Sequence, residues 1–388
     1  MTAPDAHWLS ASQDGASLQG PLAGLRVVEV GRYIAAPFAG RQLAAMGADV
    51  LKVEEPGTGD PMRHWEGGSR PYSPQFAAYN HGKRSVELDL RTEAGSAALR
   101  RLAATADVLI ENFRPGVMDR LGVGAAALTA ANPRLIYFSV TGFGPSGPLA
   151  GQPSYDTVIS AISGLYSLLR PASDPAPAGP AISDLLAGLF AVQGILAALR
   201  HRDSSDKHAG QVVEVTMLGS VLSFLGEAIT SAAETSEPIE PDTRQRRAQA
   251  YGCTDEVGRA FVVHLSVPDK FWFALCAAMQ RPDWLADARF ATRQGRYEHY
   301  GELAALIKAQ ARTRSRAEWF AAFAAHDLPH APLNTLAEVA DDPQVAAMGL
   351  VEQVQVPGAE PMAMVAAPVR FSATPAGQTR LAPLLGEA

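Results

Sequence analysis

The sequence predicts an α/β fold in which a large domain has a doubly wound, mostly parallel sheet of the Rossmann-like kind and a smaller domain is α+β. Short strands rich in β-branched residues alternate with helical patterns over the first 150 residues. The first strand, helix and strand fit within about thirty residues, which is the span of a parallel crossover. A polar stretch at 235–249 then separates this part from a second group of elements.

The elements of the large domain follow from their residue patterns. The first strand ends at Gly31, and Gly47 closes the helix that follows it. Residues 55–82 are rich in Gly, Pro and aromatic residues and are predicted to be a long functional loop. Strands are predicted at 25–30, 49–53, 85–90, 107–111, 134–140 and 211–215. Helices are predicted at 38–46, 92–105, 155–169, 180–199 and 217–233.

The second domain begins with the strand 261–265 and continues in amphipathic helices, one of which starts at a capping box formed by Ser315 and Glu318. From residue 341 the chain is expected to return to the first domain. The predicted organisation is a flexible tail at 1–20, a large domain at 21–233, a linker at 234–249, a small domain at 250–340, and a returning segment at 341–388.

Composition excludes several classes of protein. With 47% hydrophobic and 19% charged residues, the 388-residue chain can build packed cores. A net charge of −7 argues against a nucleic-acid surface, and no uninterrupted apolar run reaches the roughly 18 residues of a membrane span. The polar N-terminus does not resemble a signal peptide. The two cysteines form neither a disulfide framework nor a metal motif, so a reducing cytoplasm and a chain without metal are expected.

The stretch Gly142-Phe-Gly-Pro-Ser-Gly147 matches a dinucleotide-binding pattern and follows a predicted strand. The prolines after it prevent the helix that such a fingerprint must open. We therefore interpret it as an irregular loop at the carboxyl end of a strand, where α/β folds bind ligands.

One ionisable residue, Asp184, interrupts the apolar helical pattern at 180–199. A carboxylate near a helix N-terminus is stabilised by free N–H groups and by the helix dipole, so helix capping explains it without any chemistry. The alternative is a carboxylate that is kept ionised to act as a nucleophile. The residues of this helix alone leave both interpretations open.

Several motifs in order resemble those of class III coenzyme A transferases, the group that includes formyl-CoA:oxalate and crotonobetainyl-CoA:carnitine CoA-transferases. The resemblance extends from about residue 21 to 387. It rests on Pro21-Leu-x-Gly-Leu-Arg-Val-Val-Glu, Gly47-Ala-Asp-Val-Leu-Lys-Val-Glu, Gly57-x-Gly-Asp-Pro-x-Arg63, Asn80-x-x-Lys-Arg-Ser-x-x-Leu-Asp89, Glu111-Asn-Phe-Arg-Pro-Gly116, Asp119-Arg-Leu-Gly122 and the Asp184 helix.

The resemblance implies that Asp184 is the nucleophile, which forms first a mixed anhydride and then an aspartyl-CoA thioester. CoA would be a substrate rather than a tightly bound cofactor. The resemblance further implies a set of CoA contacts, in which the basic pair meets the ADP phosphates: Ile34, Ala35, Lys83, Arg84, Asn112, Phe113, Arg120, Gly142 and Phe143. The alternative is that Arg84 and Arg120 form surface ion pairs and that Phe113 and Phe143 belong to the core.

The resemblance also bears on substrates and assembly. Succinyl-CoA or acetyl-CoA is the expected donor, a small carboxylic or dicarboxylic acid is the expected acceptor, and an interlaced homodimer is the expected assembly. Ile34 and Thr141 stand where the formyl-CoA enzyme has a glutamine and a lysine, and residues 248–252 lack its glycine run, so oxalate is not the expected acceptor. The chain ends at Ala388, where relatives continue, so their terminal helix is expected to be missing.

Two other functions remain open at this stage. An α-methylacyl-CoA racemase of the same fold shares the aspartate but needs a second base, and Gln152 stands where relatives of that type carry a histidine. A CoA-binding protein without catalysis is the other alternative, because capping alone would account for Asp184.

Overall fold

The computed structural model describes residues 18–65, 71–235, 239–356, 358–375, 377 and 379–388. Most of the predicted tail at 1–20 therefore lies outside the described residues. The chain divides into two compact units. The described parts of Met1–Tyr166, Ala176–Ser236 and Met348–Ala388 form the first, and those of Ser167–Pro175 and Glu237–Ala347 form the second.

The described residues form the following elements. The strands are β1 (Arg26–Val30), β2 (Asp49–Glu54), β3 (Arg84–Glu87), β4 (Val108–Glu111), β5 (Ile136–Thr141), β6 (Val212–Thr216), β7 (Ala250–Thr254), β8 (Ala260–His264), β9 (His330–Pro332), β10 (Val351–Val354) and β11 (Met362–Val365). The helices are α1 (Ala35–Ala45), α2 (Pro74–Asn80), α3 (Glu93–Thr105), α4 (Val117–Arg120), α5 (Ala125–Ala131), α6 (Asp156–Ile162), α7 (Leu165–Leu169), α8 (Ile182–Ser204), α9 (Met217–Phe224), α10 (Gly226–Glu234), α11 (Thr243–Ala248), α12 (Pro268–Ala278), α13 (Asp283–Ala286), α14 (Arg293–Glu298), α15 (Tyr300–Ala311), α16 (Arg316–Ala325), α17 (Leu336–Val339) and α18 (Pro343–Met348).

The first unit is built on a six-stranded sheet with the order β3-β2-β1-β4-β5-β6, in which every pair is parallel. This confirms the α/β prediction. The central strands β1 and β4 are almost entirely buried, as expected of parallel strands covered on both faces. The strand order reverses between β1 and β4, and such a switch point opens a crevice at the carboxyl ends of the strands.

Three predicted elements differ from the structure. The stretch at 55–82 contains a 3₁₀ turn, Pro61–His64, and helix α2, which Ser73 caps by accepting a hydrogen bond from the Phe76 N–H at 2.9 Å. The helix predicted at 155–169 is divided into α6 and α7 at Gly164, whose φ of +83° does not fit a helix. The helix predicted at 217–233 is divided into α9 and α10 at Leu225.

Helix α8 is the central helix of the first unit, packing on α1, α9, β5 and β6. Small residues such as Ala187, Gly188 and Ala191 are buried on it, and they let neighbouring backbones approach closely. Among the helices of the described segments, α8 is the one that is long and apolar enough to cross a membrane by length and composition.

The second unit contains the antiparallel sheet β7-β8-β9 and a core that includes Trp272, Trp284 and Trp319. Its helix α16 begins at Ser315, whose side chain accepts from the Glu318 N–H while Glu318 accepts from the Ser315 N–H. The predicted capping box is thus confirmed. The strands β10 and β11 pair with each other and belong to the returning C-terminal part of the first unit.

Candidate active site

Asp184 does not cap its helix. It is the third residue of α8, and the flanking N-cap residue is Ala181. Asp156, at the start of α6, satisfies part of this helix end instead, because its Oδ1 accepts the Ser183 N–H at 2.8 Å and the Ser183 hydroxyl at 2.7 Å. The capping interpretation of Asp184 is therefore wrong, and its carboxylate is available to another part of the chain.

That other part is the N-terminus of α1, where the backbone N–H of Ala35 donates a hydrogen bond to the Asp184 carboxylate. Gly188, one turn after Asp184, permits this contact. A Cβ atom on Gly188 would lie 2.9 Å from the Ala35 carbonyl oxygen and 2.8 Å from a ring carbon of Phe38. The absence of a side chain at 188 therefore lets the first turns of α1 and α8 lie against each other.

The surroundings of Asp184 disfavour its ionised form. Burial has the largest effect, and together with the nearby Asp156 carboxylate it raises the pKa of Asp184 to about 7, whereas the Ala35 N–H acts in the opposite direction. The expectation that the helix N-terminus keeps this group ionised is thus wrong in its net direction. Asp184 is a carboxylate of raised basicity that is about half ionised at neutral pH.

Aromatic side chains lie near this carboxylate and along the segment that leads to Ala35. The charge of Asp184 contributes to the raised pKa of Tyr79, after the larger effect of burial, and the Tyr79 ring packs edge-on against Phe38 at 6.1 Å. The ring of Tyr33, two residues before Ala35, lies 6.1 Å from Trp65 and 6.2 Å from Tyr155. The Tyr79 ring is therefore close enough to Asp184 to respond to its charge, and the rings around Tyr33 lie beside the segment that leads into α1.

The loop after β5 supports the segment that carries Asp156. A Cβ atom on Gly142 would lie 2.0 Å from the Ser154 hydroxyl oxygen, so the glycine lets the segment before Tyr155 pass close to the loop. The Gly142 carbonyl accepts the Leu218 N–H at the start of α9, and Phe143 is half-buried. The structure therefore brings Gly142 to the Asp156 side of the site.

A cleft of about 330 Å³ opens at the carboxyl ends of β1, β2 and β4. One of its walls is formed by Phe113, over whose ring the Arg32 guanidinium lies at 5.8 Å. Asn112 fixes the opposite loop, because its side chain accepts the Arg32 N–H at 3.0 Å and donates to the Arg32 carbonyl at 2.8 Å. The cleft is lined by Val30, Gly31, Arg32, Val53, Glu54, Glu55, Gly59, Asp60, Leu88, Asp89, Leu90, Arg91, Phe113, Val117 and Leu121.

The rim of this cleft carries exposed arginines. Arg91, whose side chain is 70% exposed, pairs with Glu55 at 2.9 Å and with Asp89 at 2.8 Å. Arg32 pairs with the same Glu55 at 3.3 Å. Arg120 is not among the lining residues, but it is exposed at the end of α4, between Val117 and Leu121 of the lining. Exposed ion pairs of this kind are weak, so the arginines can exchange a carboxylate for a phosphate.

The structure does not bring Lys83 and Arg84 to this cleft. The Lys83 ammonium is fully buried and donates to Glu29 at 2.6 Å, to the Pro37 carbonyl at 2.8 Å and to Asn80 at 2.8 Å. Arg84 is the first residue of β3 and pairs with Asp49, the first residue of β2, at 2.7 Å. In parallel strands this is the amino edge of the sheet, opposite to the cleft. Neither side chain is placed to meet a phosphate there.

Sequence reasoning missed three residues that the structure brings to the site: Arg32, Arg91 and Asp156. Arg91 lies just beyond a predicted strand, so the rule that ligands bind at carboxyl ends could have identified it. Asp156 carried no such signal, because its effect on Asp184 depends on the packing of α6 against α8. Within the described residues, no group of three or more His, Cys, Asp or Glu side chains forms a candidate metal site.

Comparison with known proteins identifies the family of the chain. The family model of CoA-transferase family III matches residues 22–388. The chain is 33% identical to a succinate–glutarate CoA-transferase of Agrobacterium fabrum, over 95% of this chain and 93% of the relative. It is 34% identical to a succinyl-CoA–D-citramalate CoA-transferase of Chloroflexus aurantiacus, over 95% and 92% of the two chains.

A solved structure agrees with these relatives. The crystal structure of a CAIB/BAIF family protein from Brucella suis matches with a TM-score of 0.84 and 32% identity, over 95% of this chain and 97% of that one. The chain belongs to CoA-transferase family III. It is a CoA-transferase, and CoA thioesters are its substrates.

The raised pKa of Asp184 predicts a pH dependence for any reaction in which this carboxylate attacks. The ionised fraction of a group with a pKa of about 7 rises about tenfold between pH 6 and pH 8, and we expect the single-turnover rate to rise with it. In Asp156→Asn the like charge is removed while an oxygen that can accept from Ser183 remains, so the midpoint should move to lower pH.

Rapid quenching and intact-protein mass spectrometry would measure this rate. Acyl-CoA should be saturating, because burial also raises the pKa of Glu111 to about 7, and Glu111 accepts the Phe113 N–H in the loop at the cleft. A rate that does not change between pH 6 and pH 8, or a midpoint that moves upward in Asp156→Asn, would contradict the assignment.

Proposed function

We propose that this CoA-transferase moves CoA from a short acyl-CoA donor, such as succinyl-CoA or acetyl-CoA, to a small carboxylic or dicarboxylic acid through an aspartyl-CoA thioester on Asp184. The observation that carries the proposal is the position of Asp184. Its carboxylate accepts the Ala35 N–H, and Ala35 lies three residues after Arg32, which lines the cleft. One short turn thus joins a pocket of nucleotide size to a half-buried carboxylate.

The reaction would divide into four acyl transfers, each of which keeps the carbonyl activated. Asp184 attacks the donor thioester, which gives a mixed anhydride and releases the CoA thiolate. The thiolate attacks the aspartyl carbonyl, which gives the aspartyl thioester and releases the donor acid. The acceptor carboxylate then attacks this thioester and expels the thiolate, and the thiolate finally attacks the acceptor carbonyl of the new anhydride. Asp184 is regenerated as a carboxylate.

The groups around Asp184 suit these steps. The Ala35 N–H, which touches the carboxylate in the free enzyme, can donate to the oxyanion that forms on the aspartyl carbonyl. The raised pKa of Asp184 makes the carboxylate a stronger nucleophile, and neutral pH still ionises about half of it. The aromatic rings of Tyr33, Tyr79 and Tyr155 would limit the access of water to the activated intermediates.

For the CoA molecule we propose that its nucleotide end occupies the cleft. Phe113 would contact the adenine, and Arg32, Arg91 and Arg120 would meet the phosphates, because guanidinium groups bind phosphate oxygens in pairs. The thioester end would then pass Ile34 and Ala35 toward Asp184, with Asn112 fixing the turn and with Gly142 and Phe143 on the Asp156 side. Lys83 and Arg84 have no part in this arrangement.

The choice of acids rests on the relatives. A succinate–glutarate enzyme and a succinyl-CoA–D-citramalate enzyme are each about one-third identical to this chain over nearly its whole length. We therefore place a dicarboxylic acid or one of its hydroxy derivatives first among acceptors, with succinyl-CoA as the first donor to test.

We also propose that the enzyme works as a homodimer. Helices α6, α8, α9 and α10 pack on one another, and α10 has no buried residue in the single chain. Exposed apolar side chains of 39% to 58% relative exposure lie on these four helices: Val158, Ile162, Leu189, Leu222, Phe224 and Ile229. Contiguous apolar helices of this kind are typical of a surface that a second subunit covers.

We propose a cytoplasmic location, which the unpaired state of the two cysteines supports. Cys253 and Cys276 are free and buried, and burial raises the pKa of each thiol to about 12. Such thiols are unreactive, and a fold that does not use them as a disulfide is typical of a reducing compartment.

The first experiment is detection of the aspartyl thioester. Intact-protein mass spectrometry after mixing with succinyl-CoA should show an adduct of the mass of CoA, which borohydride removes by reducing the thioester. Asp184→Ala should form no adduct, whereas Asp156→Asn, as the matched acidic variant, should still form one. If no short acyl-CoA gives an adduct and the enzyme instead exchanges the α-proton of a 2-methylacyl-CoA, the racemase alternative is correct.

The phosphate assignment predicts a selective loss in Arg91→Ala. Removal of a charge-assisted contact worth about 1.5–3 kcal/mol should raise the KM for succinyl-CoA by about tenfold to a hundredfold with little change in kcat. With succinyl-pantetheine, which lacks the nucleotide, the variant and the wild type should behave alike. Arg134→Ala, which removes an exposed arginine paired with Asp203, serves as the control. Equal losses with both substrates would contradict the assignment.

The dimer proposal predicts a solution mass of about 82 kDa, twice the 41.0 kDa of the chain. Ile229→Asp places a charge on α10 where no residue is buried in the single chain, so it should leave the fold intact and weaken the dimer at least tenfold. Val257→Asp, at a position 70% exposed in the second unit, is the control. Sedimentation velocity over a concentration series measures both, and a wild type that remains at 41 kDa would exclude the dimer.

A further inference from the structure

The motif Gly57-x-Gly-Asp-Pro-x-Arg63 follows β2, and its Gly59 and Asp60 line the cleft, but the acyl-transfer steps described above assign it no role. Its aspartate, Asp60, is 2% exposed. One carboxylate oxygen lies 3.1 Å from the Lys52 ammonium, which is itself fully buried. The carboxylate also accepts the Tyr33 N–H, at 3.2 Å and 3.4 Å from its two oxygens, and the Met62 N–H at 3.0 Å.

The residue that Asp60 holds has an unusual backbone. Tyr33 has a φ of +64°. This is the left-handed region, which residues other than glycine, asparagine and aspartate rarely adopt. Such a conformation persists when surrounding contacts over-determine it, and it is concentrated at functional sites. The hydrogen bond from the Tyr33 N–H to a buried, charged acceptor is a contact of this kind.

Two more of the four residues between β1 and α1 are held as well. The Gly31 carbonyl accepts from the Lys52 ammonium at 2.7 Å. The backbone N–H and carbonyl of Arg32 both bond to the Asn112 side chain. Lys52 and Asp60, which pair with each other, therefore fix the first and the third of these four residues. Fixing these residues sets the direction in which the chain enters α1.

The chain next enters α1. Ile34 is the N-cap residue, without a side-chain cap, and Ala35 follows with the N–H that donates to Asp184. Only Ile34 separates the left-handed residue from this donor. A change of the Tyr33 backbone to an ordinary conformation would turn the peptide planes that follow it, and the Ala35 N–H would point away from Asp184.

We propose that Asp60 is a positioning residue for CoA transfer, which holds Tyr33 in its left-handed conformation and thereby aims the Ala35 N–H at the Asp184 carboxylate. The proposal rests on the proposed role of Asp184 as nucleophile. Asp60 acts through the backbone of the turn and takes no part in proton or acyl transfer. Its loss should therefore slow the acylation of Asp184 much more than it weakens acyl-CoA binding.

A double-mutant cycle of Asp60→Asn and Tyr33→Gly tests this mechanism. In the tyrosine background, Asp60→Asn should lower the single-turnover rate of thioester formation at least tenfold, with the KM for succinyl-CoA within about twofold of wild type. In the Tyr33→Gly background the same change should cost less than about threefold, because glycine adopts a positive φ without being held. Additive losses in the two backgrounds would overturn the proposal.

Tyr33→Ala separates the backbone from the ring. Both Tyr33→Ala and Tyr33→Gly lose the contacts with Trp65 and Tyr155, but alanine disfavours a positive φ and glycine does not. Combined with Asp60→Asn, the glycine variant should therefore be the faster of the two. Equal rates would mean that the conformation of residue 33 is not what Asp60 controls.

The pH profile gives a readout that a general loss of stability would not move. The Ala35 N–H lowers the pKa of Asp184, so its misplacement should shift the midpoint of acylation to higher pH. Arg202→Gln is the control, because Arg202 is 4% exposed and pairs with Asp107 at 3.0 Å in the last turn of α8, at the other end of the helix from Asp184. It should destabilise the fold and leave the midpoint in place. An unchanged midpoint in Asp60→Asn would count against the proposal.

If Asp60→Asn does not fold, Asp60→Glu replaces it. This variant keeps a negative charge beside Lys52 and displaces the carboxylate by one methylene from the Tyr33 N–H. Positioning predicts slow acylation in Asp60→Glu, whereas near-wild-type acylation would show that neutralising Lys52 is the whole role of Asp60. A wild type that forms no aspartyl thioester would refute the proposed function itself, which distinguishes that failure from a failure of the positioning role.

Discussion

Two helix N-termini meet where the Ala35 N–H of α1 donates to the Asp184 carboxylate of α8. The contact needs the missing side chain of Gly188, because a Cβ atom there would come within 2.9 Å of the Ala35 carbonyl. It also needs Asp156 to occupy the Ser183 N–H, which would otherwise be free at the start of α8. The rest of the site is arranged around this meeting of two short backbone segments.

The same contact explains the electrostatic character of the site. Burying a carboxylate favours its neutral form, and a second carboxylate nearby adds to this, whereas a single N–H opposes both. The balance leaves Asp184 titrating near pH 7, where a small change in its surroundings changes the ionised fraction most. The network that aims the N–H is therefore as important to the chemistry as the aspartate.

That network is a cluster of buried charges where β1 and β2 meet α1. It is made of Glu29, Lys52, Asp60 and Lys83. Removing one member of such a cluster typically costs about 3–5 kcal/mol, because a charge is left buried without a partner. Lys83 is held in it by Glu29, Asn80 and the Pro37 carbonyl. The lysine therefore stabilises the packing of α1 on the sheet.

Much of the fold could be predicted from local patterns, because each is encoded within a few residues. Alternating strands and helices with glycine at their ends predicted the parallel sheet, and Ser315 and Glu318 predicted a capping box that the structure confirms. The helix predicted at 155–169 failed at Gly164, because an apolar pattern continues through a residue whose backbone is left-handed. The motif order was also enough for the family.

The geometry of the site required the tertiary structure. The family resemblance placed Lys83 and Arg84 with the phosphates, whereas Arg91, beyond the carboxyl end of β3, lines the cleft. Likewise, sequence identified Asp184 but gave the wrong direction for its pKa, since the desolvation, Asp156 and Ala35 come from distant parts of the chain. Sequence by itself determined the elements and the family, and it singled out Asp184. Folding alone decided the ionisation of that residue and which cations stay exposed, because both depend on contacts between segments that are far apart in the chain.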